Sequence, residues 1–354
     1  LACSAIESGY SVALLSHYSK HRDKIENAGI KPIDWSLNRS SKNPFQEWSA
    51  FLEIISAIRQ FQPDLIHSVA MKPVLYSALA CRFSRINPRI FALAGLGYIF
   101  SSDKRIAKFF RPALQFAFKI LFAGEKTRLI LQNPEDKSTL LGAAVIDEGS
   151  IRLIRGAGVD TNLFKLESIP SGLPIIILPS RVLWSKGIQD FIDCAKCINK
   201  NEVKARFVLV GTPDTQNPDA VPVRKLTTMD QEGIIEWWGY RDDMQDVYQQ
   251  STIVCLPTFY GEGLPKTLLE AASCGRPIVA YDVAGCREVV NDGLNGFLVP
   301  LKNKDAMINA IETLLENHEL CSQMGKKGRE LVLNNFSQEQ IAAETMAVWK
   351  EVLL

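Results

Sequence analysis

Hydrophobic and polar positions along the chain fall into two rhythms: short apolar runs of strand length, and longer stretches whose apolar residues recur every three to four positions. Strands are predicted at 9–15, 63–67, 127–132, 174–180, 206–211 and 251–257, and 89–100 reads as a further strand running into a glycine-rich loop. The run at 174–180 has no polar break and reads as a strand buried on both faces. Helices are predicted at 1–8, 45–62, 71–80, 188–199, 242–250, 264–274 and 337–353, and Asn133 with Pro134 opens another. His17, His21 and Arg22 are read as loop residues, and the strand at 63–67 is read as ending on His67. Strand and helix alternate throughout, which implies an α/β chain of parallel sheets with helices on both faces.

A length of 354 residues gives room for two domains with separate cores. A Ser-, Pro- and Gly-containing linker at 166–172 divides a first domain, 1–165, from a second, 166–336, and the helix at 337–354 returns to the first. With 47% hydrophobic residues, 22% charged and a net charge of +1, the chain reads as a soluble globular protein with no call for nucleic acid. Its eight Cys are scattered singly, as reduced cytoplasmic thiols are. Cys194 and Cys197 have CxxC spacing but lie within a helical pattern with no second pair, so packing is expected rather than metal or redox work. No run is long and apolar enough to span a bilayer.

Candidate chemistry gathers at 261–270, GEGLPKTLLE. The strand at 251–257 feeds a short loop, and the helix after it carries Pro265 in its first turn, where a missing N–H is harmless. Gly261 and Gly263 permit close approach of backbone to ligand, and a helix N-terminus attracts an anion. Glu262 and Glu270 stand about 10 Å apart along the axis, a spacing for a ligand with hydroxyls at both ends and a diphosphate between, which describes a nucleotide sugar. The plainer alternative is one solvated Glu and one cap. Arg181 and Lys186 lie five apart in a strand-to-helix loop, either as a solvated turn or as a clamp on phosphate charge. His67, at the predicted carboxyl end of a strand, is either a ligand contact or a satisfied structural His. The segment 104–122 threads five basic residues through five Phe, and such a helix either lies on an anionic membrane or packs its Phe into the core.

The words EGLPKTLLE at 262–270, AASCGRPIVA at 271–280 and GCREVVNDGLNGFLVP at 285–300 resemble the C-terminal domain of retaining family 4 glycosyltransferases, in the bacterial branch that builds capsule, O-antigen and polyprenyl-linked oligosaccharides. The resemblance implies the GT-B fold, two Rossmann-like domains facing a cleft, and transfer of a hexose from a nucleoside diphosphate with retention. In that light Arg181, Lys186 and the amides of Gly263 and Leu264 would hold the diphosphate, Glu270 the ribose and Glu262 the hexose. Gly261 and Pro265 would join them in binding the donor. Tyr240 and Arg241 would flank the nucleobase, His67 would support the reacting centre, and Gly95, Gly97 and Tyr98 would face the acceptor. The family also implies no metal or other cofactor, a UDP-sugar with an N-acetylated hexosamine foremost, a polyprenyl-diphosphate-linked acceptor, and a peripheral site on the cytoplasmic face of the inner membrane touched through 104–122. Against the family, the chain starts at Leu1 without the expected first strand and glycine loop. A truncated nucleotide-sugar-binding module and a GT-B epimerase are the rival readings.

Overall fold

A computed structural model describes residues 1–18, 21–37, 43–95, 105–200, 204–259 and 263–354, with side chains left out at 105–111 and 114. The chain divides into two compact units, Leu1–Arg155 with Glu339–Leu354, and Gly156–Gln338.

In the first unit α1 (Ala2–Glu7), β1 (Ala13–Ser16), α2 (Arg22–Asn27) and β2 (Lys31–Asp34) precede α3 (Pro44–Phe61). Then come β3 (Ile66–Val69), α4 (Met71–Ser84), β4 (Arg89–Leu93), α5 (Arg105–Leu121), β5 (Thr127–Leu131), α6 (Pro134–Gly142) and β6 (Ile151–Leu153). Strands β3-β4-β5-β6 form a parallel four-stranded sheet, and β1 and β2 pair parallel as a separate two-stranded one. Two helix starts follow one rule. Asn43 and Asn133 each precede a Pro, and each side chain accepts a backbone N–H of the first turn, from Phe45 and Asp136. Arg22, expected in a loop, begins α2 and pairs with Glu26 one turn on.

The second unit runs β7 (Ile175–Pro179), α7 (Ile188–Ile198), β8 (Arg206–Val210), α8 (Val223–Gln231), β9 (Glu236–Gly239), α9 (Met244–Gln250), β10 (Ile253–Leu256), α10 (Lys266–Ser273), β11 (Ile278–Tyr281), α11 (Ala284–Arg287), β12 (Gly296–Val299), α12 (Lys304–Glu316) and α13 (His318–Asn335). Its strand order is β12-β11-β10-β7-β8-β9, all parallel. This is the doubly wound order, which reverses direction between β7 and β10. Every residue of β7, β10 and β11 is buried, in keeping with the unbroken apolar runs.

The chain crosses between units at Arg155, before the predicted linker at 166–172. Residues 156–165 belong to the second unit because Val159 and Phe164 are buried in its core. Val159 also donates to Phe336 O (2.9 Å) and accepts from Gln338 N–H (3.0 Å). From there α14 (Gln338–Leu353) rejoins the first unit: Ile341, Val348, Trp349 and Val352 pack with Ala5, Ile90, Ile130 and Ile154. Glu351 accepts from Arg128 (2.8 Å) and pairs with Arg152, which fastens the helix to β5 and β6.

Candidate functional site

In an open parallel sheet a ligand finds its crevice where the strand order reverses, at the carboxyl ends of the strands. In the second unit that place lies between β7 and β10, and the loops leaving these two strands carry Arg181 with Lys186 and the stretch before α10. The two loops are tied together. Phe259 N–H donates to Ser185 O (3.0 Å), and Thr258 Oγ1 reaches the same carbonyl (3.4 Å). Gly187 adopts φ +77°, and a Cβ there would run into the Pro257 carbonyl, so only glycine lets the loops close. From the other side the 212–222 segment clasps the β7 loop. Trp184 N–H donates to Asp219 O (2.9 Å), while Ser185 N–H (3.0 Å) and the Ser185 hydroxyl both donate to the Asp219 carboxylate. Val182 N–H bonds Thr212 O (3.1 Å) and Val221 N–H bonds Val182 O (3.1 Å). The short 3₁₀ turn Trp184–Lys186 is therefore held on both flanks.

Lys186 is buried, with 8% of its surface exposed. Burial, reinforced by the nearby Arg181 guanidinium, pulls its pKa from 10.5 down to about 8. Arg181 is exposed and stands 3.8 Å from Asp214. Beside the Arg181 guanidinium, a buried ammonium is a place where a bound anion is favoured. The N-terminus of α10 contributes on the other side, since first-turn N–H groups have no partner within a helix and point outward with a partial positive charge. The helix begins at Lys266 with Pro265 as its N-cap, two residues later than predicted. Gly263 and Leu264 lie in the turn before it, and the helical donors are those of its first turn.

Glu270 is 7% exposed and held at both oxygens. Tyr248 Oη, fully buried, donates to Oε2 (2.9 Å), and Lys266 Nζ lies 3.3 Å from Oε1. Burial and the Glu270 carboxylate push the Tyr248 phenol well above its usual pKa, which keeps it a donor. Behind it, Arg276 is wholly buried and donates to carbonyls alone: Tyr248 O (2.9 Å), Ser168 O (3.3 Å) and Gln249 O (3.3 Å). The carboxylate is thus held by a buried phenol on one side and by the mostly exposed Lys266 on the other.

The remaining predicted positions separate. Tyr240 and Arg241 follow β9, the edge strand, with β8 between it and β7. Tyr240 is 74% exposed, and Arg241 is engaged by Asp243 (2.7 Å) and lies over the Trp238 ring (5.5 Å). Trp237 and Trp238 pack against the core of the second unit, Trp237 Nε1 donating to Gly211 O (2.9 Å). Gly261 and Glu262 lie outside the described residues, as do Gly97 and Tyr98.

Within the first unit Gly95 stands two residues past β4. His67 is not the last residue of its strand: β3 continues to Val69, and His67 pairs with Ile90 in its interior. Its Nδ1 accepts from Trp349 Nε1 (3.0 Å), the rings meeting edge to face, and burial lowers its pKa to about 4. The imidazole is neutral at pH 7 with its proton on Nε2, which is buried and has no hydrogen-bond partner among the described residues. Cys194 is buried with its thiol pushed up to about 12, whereas Cys197 is exposed, so the CxxC pair is split across the surface of α7.

What the sequence did not single out is the support around the cation: Asp219, Gly187 and Tyr248. The signal for Gly187 was present, a Gly between a loop Lys and a helix start. Asp219 was hidden in a polar, Pro-rich loop, and Tyr248 was indistinguishable from a core position of α9.

Comparison with known proteins follows the same division. A family model described as glycosyl transferases group 1 matches residues 173–317, and one described as glycosyl transferase 4-like matches residues 2–133. An N,N'-diacetylbacillosaminyl-diphospho-undecaprenol alpha-1,3-N-acetylgalactosaminyltransferase from Campylobacter jejuni is 27% identical, over 94% of this chain and 89% of that protein. A UDP-Gal:alpha-D-GlcNAc-diphosphoundecaprenol alpha-1,3-galactosyltransferase from Escherichia coli is 24% identical, over 82% of this chain and 76% of its own. Among solved structures, a glycosyltransferase from Rickettsia africae superimposes with a TM-score of 0.80 at 20% identity, covering 99% of this chain and 93% of that one. The shared fold is GT-B-like, with two Rossmann-like domains.

Proposed function

From its membership of the glycosyl transferases group 1 family, to which the chain belongs, we propose that this glycosyltransferase moves a hexose from a UDP-sugar to a polyprenyl-diphosphate-linked saccharide with retention of anomeric configuration. One observation carries the donor half of the reading. A buried lysine and a helix N-terminus are brought together at the strand-order reversal of the second unit, which is chemistry for a diphosphate. The acceptor half rests on the two relatives, both of which are named for undecaprenol-diphosphate sugars. An N-acetylated hexosamine is the first donor to test, because the Campylobacter relative is an N-acetylgalactosaminyltransferase and the more similar of the two.

In this reading the acceptor hydroxyl oxygen bonds to the anomeric carbon on the face from which the diphosphate departs. The bond from that carbon to the β-phosphate oxygen breaks, and the acceptor proton passes to the departing phosphate. Lys186, Arg181 and the first-turn amides of α10 receive the charge that develops there, without a metal. Glu270 accepts the ribose hydroxyls, and Glu262 the hexose hydroxyls; neither acts as nucleophile. The work is placed at the cytoplasmic face of the membrane that carries the acceptor, with 104–122 as a contact.

The test is release of nucleoside diphosphate from a panel of UDP- and GDP-sugars, with and without membranes bearing polyprenyl-diphosphate saccharide. Release that needs one donor and the lipid-linked acceptor supports the proposal. Donor binding with no release on any acceptor overturns it in favour of a binding module.

A further inference from the structure

Helix α3 of the first unit carries two apolar stripes, and the fold uses one. Ala50, Phe51, Ile54, Ala57 and Ile58 are buried. The other stripe, at helical spacing along 45, 48 and 52, stands in solvent: Phe45 is 84% exposed, Trp48 61% and Leu52 46%. A surface helix normally shows one apolar face, and an uncovered second one marks an interaction surface. The neighbouring helix adds to it, with Phe83 near the end of α4 70% exposed. Between α3 and α4 runs an open groove of about 770 Å³ whose lining includes Trp48, Leu52, Ile55, Leu79 and Phe83. The rings interlock along it, Trp48 with Phe51 at 5.5 Å between centroids and Phe51 with Phe83 at 6.2 Å.

Two arginines stand around this groove against one carboxylate, the exposed Asp64 that follows its lining residue Pro63. Arg59 lines it, and Arg85, exposed, sits between two of its lining residues, Ser84 and Ile86. The two carboxylates that α3 carries past its cap are already engaged, Glu47 by Lys72 and Tyr76 and Glu53 by Ser36. Across 71–122 the sequence has nine Lys and Arg against one Asp, in a chain whose net charge is only +1. Among these, Arg82 and Lys119 are exposed, and Arg82 reaches the Ile120 carbonyl of α5 (3.3 Å).

We propose that the α3–α4 face is a membrane-docking surface, which lays Trp48, Leu52 and Phe83 into the headgroup–acyl boundary of a bilayer containing anionic lipid while Arg59 and Arg85 meet lipid phosphates. Aromatic side chains with an apolar body suit that boundary, and cations at the rim make the attraction depend on anionic lipid and on salt. The surface belongs to the first unit alone and stands apart from the identity of donor and acceptor. It differs from the 104–122 contact in using an uncovered face of α3 that no sequence motif marks.

The test is co-sedimentation of the full chain with phosphatidylcholine vesicles, with and without phosphatidylglycerol at roughly a third of the lipid. No donor or acceptor is present, so a negative result leaves the transferase reading standing. Binding is expected to require phosphatidylglycerol, to weaken as salt rises, and to fall by roughly tenfold or more in Trp48→Gln/Phe83→Gln. Arg59→Glu weakens binding to the anionic vesicles alone. Should the double variant unfold, Phe45→Gln is the substitute, at the most exposed ring of the stripe. Equal binding by wild type and the folded variant overturns the proposal. So does a wild-type dimer that Trp48→Gln/Phe83→Gln splits, because the face would then be covered by a second copy.

Discussion

Lys186 makes donor binding a proton-linked event. In the empty site its pKa is about 8, so at pH 9 only about one molecule in ten carries the ammonium. A diphosphate laid against the side chain offsets the burial and the Arg181 repulsion and restores the ordinary value of 10.5. At pH 9 binding then takes up about 0.9 proton per UDP, at pH 8 about half a proton, and at pH 6.5 almost none. The full shift corresponds to about 3 kcal/mol of coupling between nucleotide and proton. The same sign governs stability. Between pH 8 and 10.5 the empty protein binds fewer protons than the unfolded chain and gains stability as pH rises, a gain the UDP-bound form lacks. Hence the stabilisation that UDP confers shrinks across that window. Calorimetric titration of UDP at pH 9 in two buffers of different ionisation enthalpy reads the uptake directly. Lys186→Met removes it and abolishes transfer while the fold persists. Wild-type binding at pH 9 with no uptake, or uptake undiminished in Lys186→Met, would refute the assignment.

Three further outcomes follow from the geometry. Tyr248→Phe leaves Glu270 Oε2 buried without its donor; urea unfolding should show a loss of about 1–3 kcal/mol, and UDP affinity should fall along with it. Unchanged affinity in a folded Tyr248→Phe would remove Glu270 from the ribose. Gly187→Ala combines a left-handed backbone with collision at Pro257 O, so a loss of at least about 2 kcal/mol is expected; a midpoint equal to wild type in urea would refute the close-approach argument. His67 is held neutral, with a pKa near 4 against 6.5 unfolded, so its contribution to stability is complete above pH 6.5 and is lost as pH falls toward 4. Between pH 7 and pH 4.5 wild type should therefore lose about 2 kcal/mol more than His67→Asn, and equal losses in urea titrations would show that the ring is not buried as described.

The alternation of buried runs and helical stretches made both sheets legible, because a strand covered on both faces, such as Ile175–Pro179, has no room for polar residues. The two site loops were legible for a related reason: glycines and cations at the carboxyl end of such a strand have few structural uses. What the sequence concealed depends on contacts between distant segments. Whether His67 ends β3 or sits inside it is decided by the partner register with Ile90 and by Trp349, which arrives from the far end of the chain. The start of α10 moved by two residues because Pro265 is as good an N-cap neighbour outside the helix as inside its first turn. The exposed stripe of α3 is not legible in the sequence, since a pattern of period 3.6 does not say how wide its apolar face is.

The crossing at Arg155 and the return at Gln338 have a consequence for how the protein is made. During translation the second unit emerges whole, as one continuous segment, while the first still lacks α14. Ala5, Ile90 and Ile130 wait for Val348, Trp349 and Val352, which leave the ribosome only after the intervening unit has been synthesised. The cluster around Ile90 and Ile130 is thereby the part of the first unit completed last, its apolar surface uncovered until the returning helix arrives. Chaperone demand should accordingly fall on the first unit.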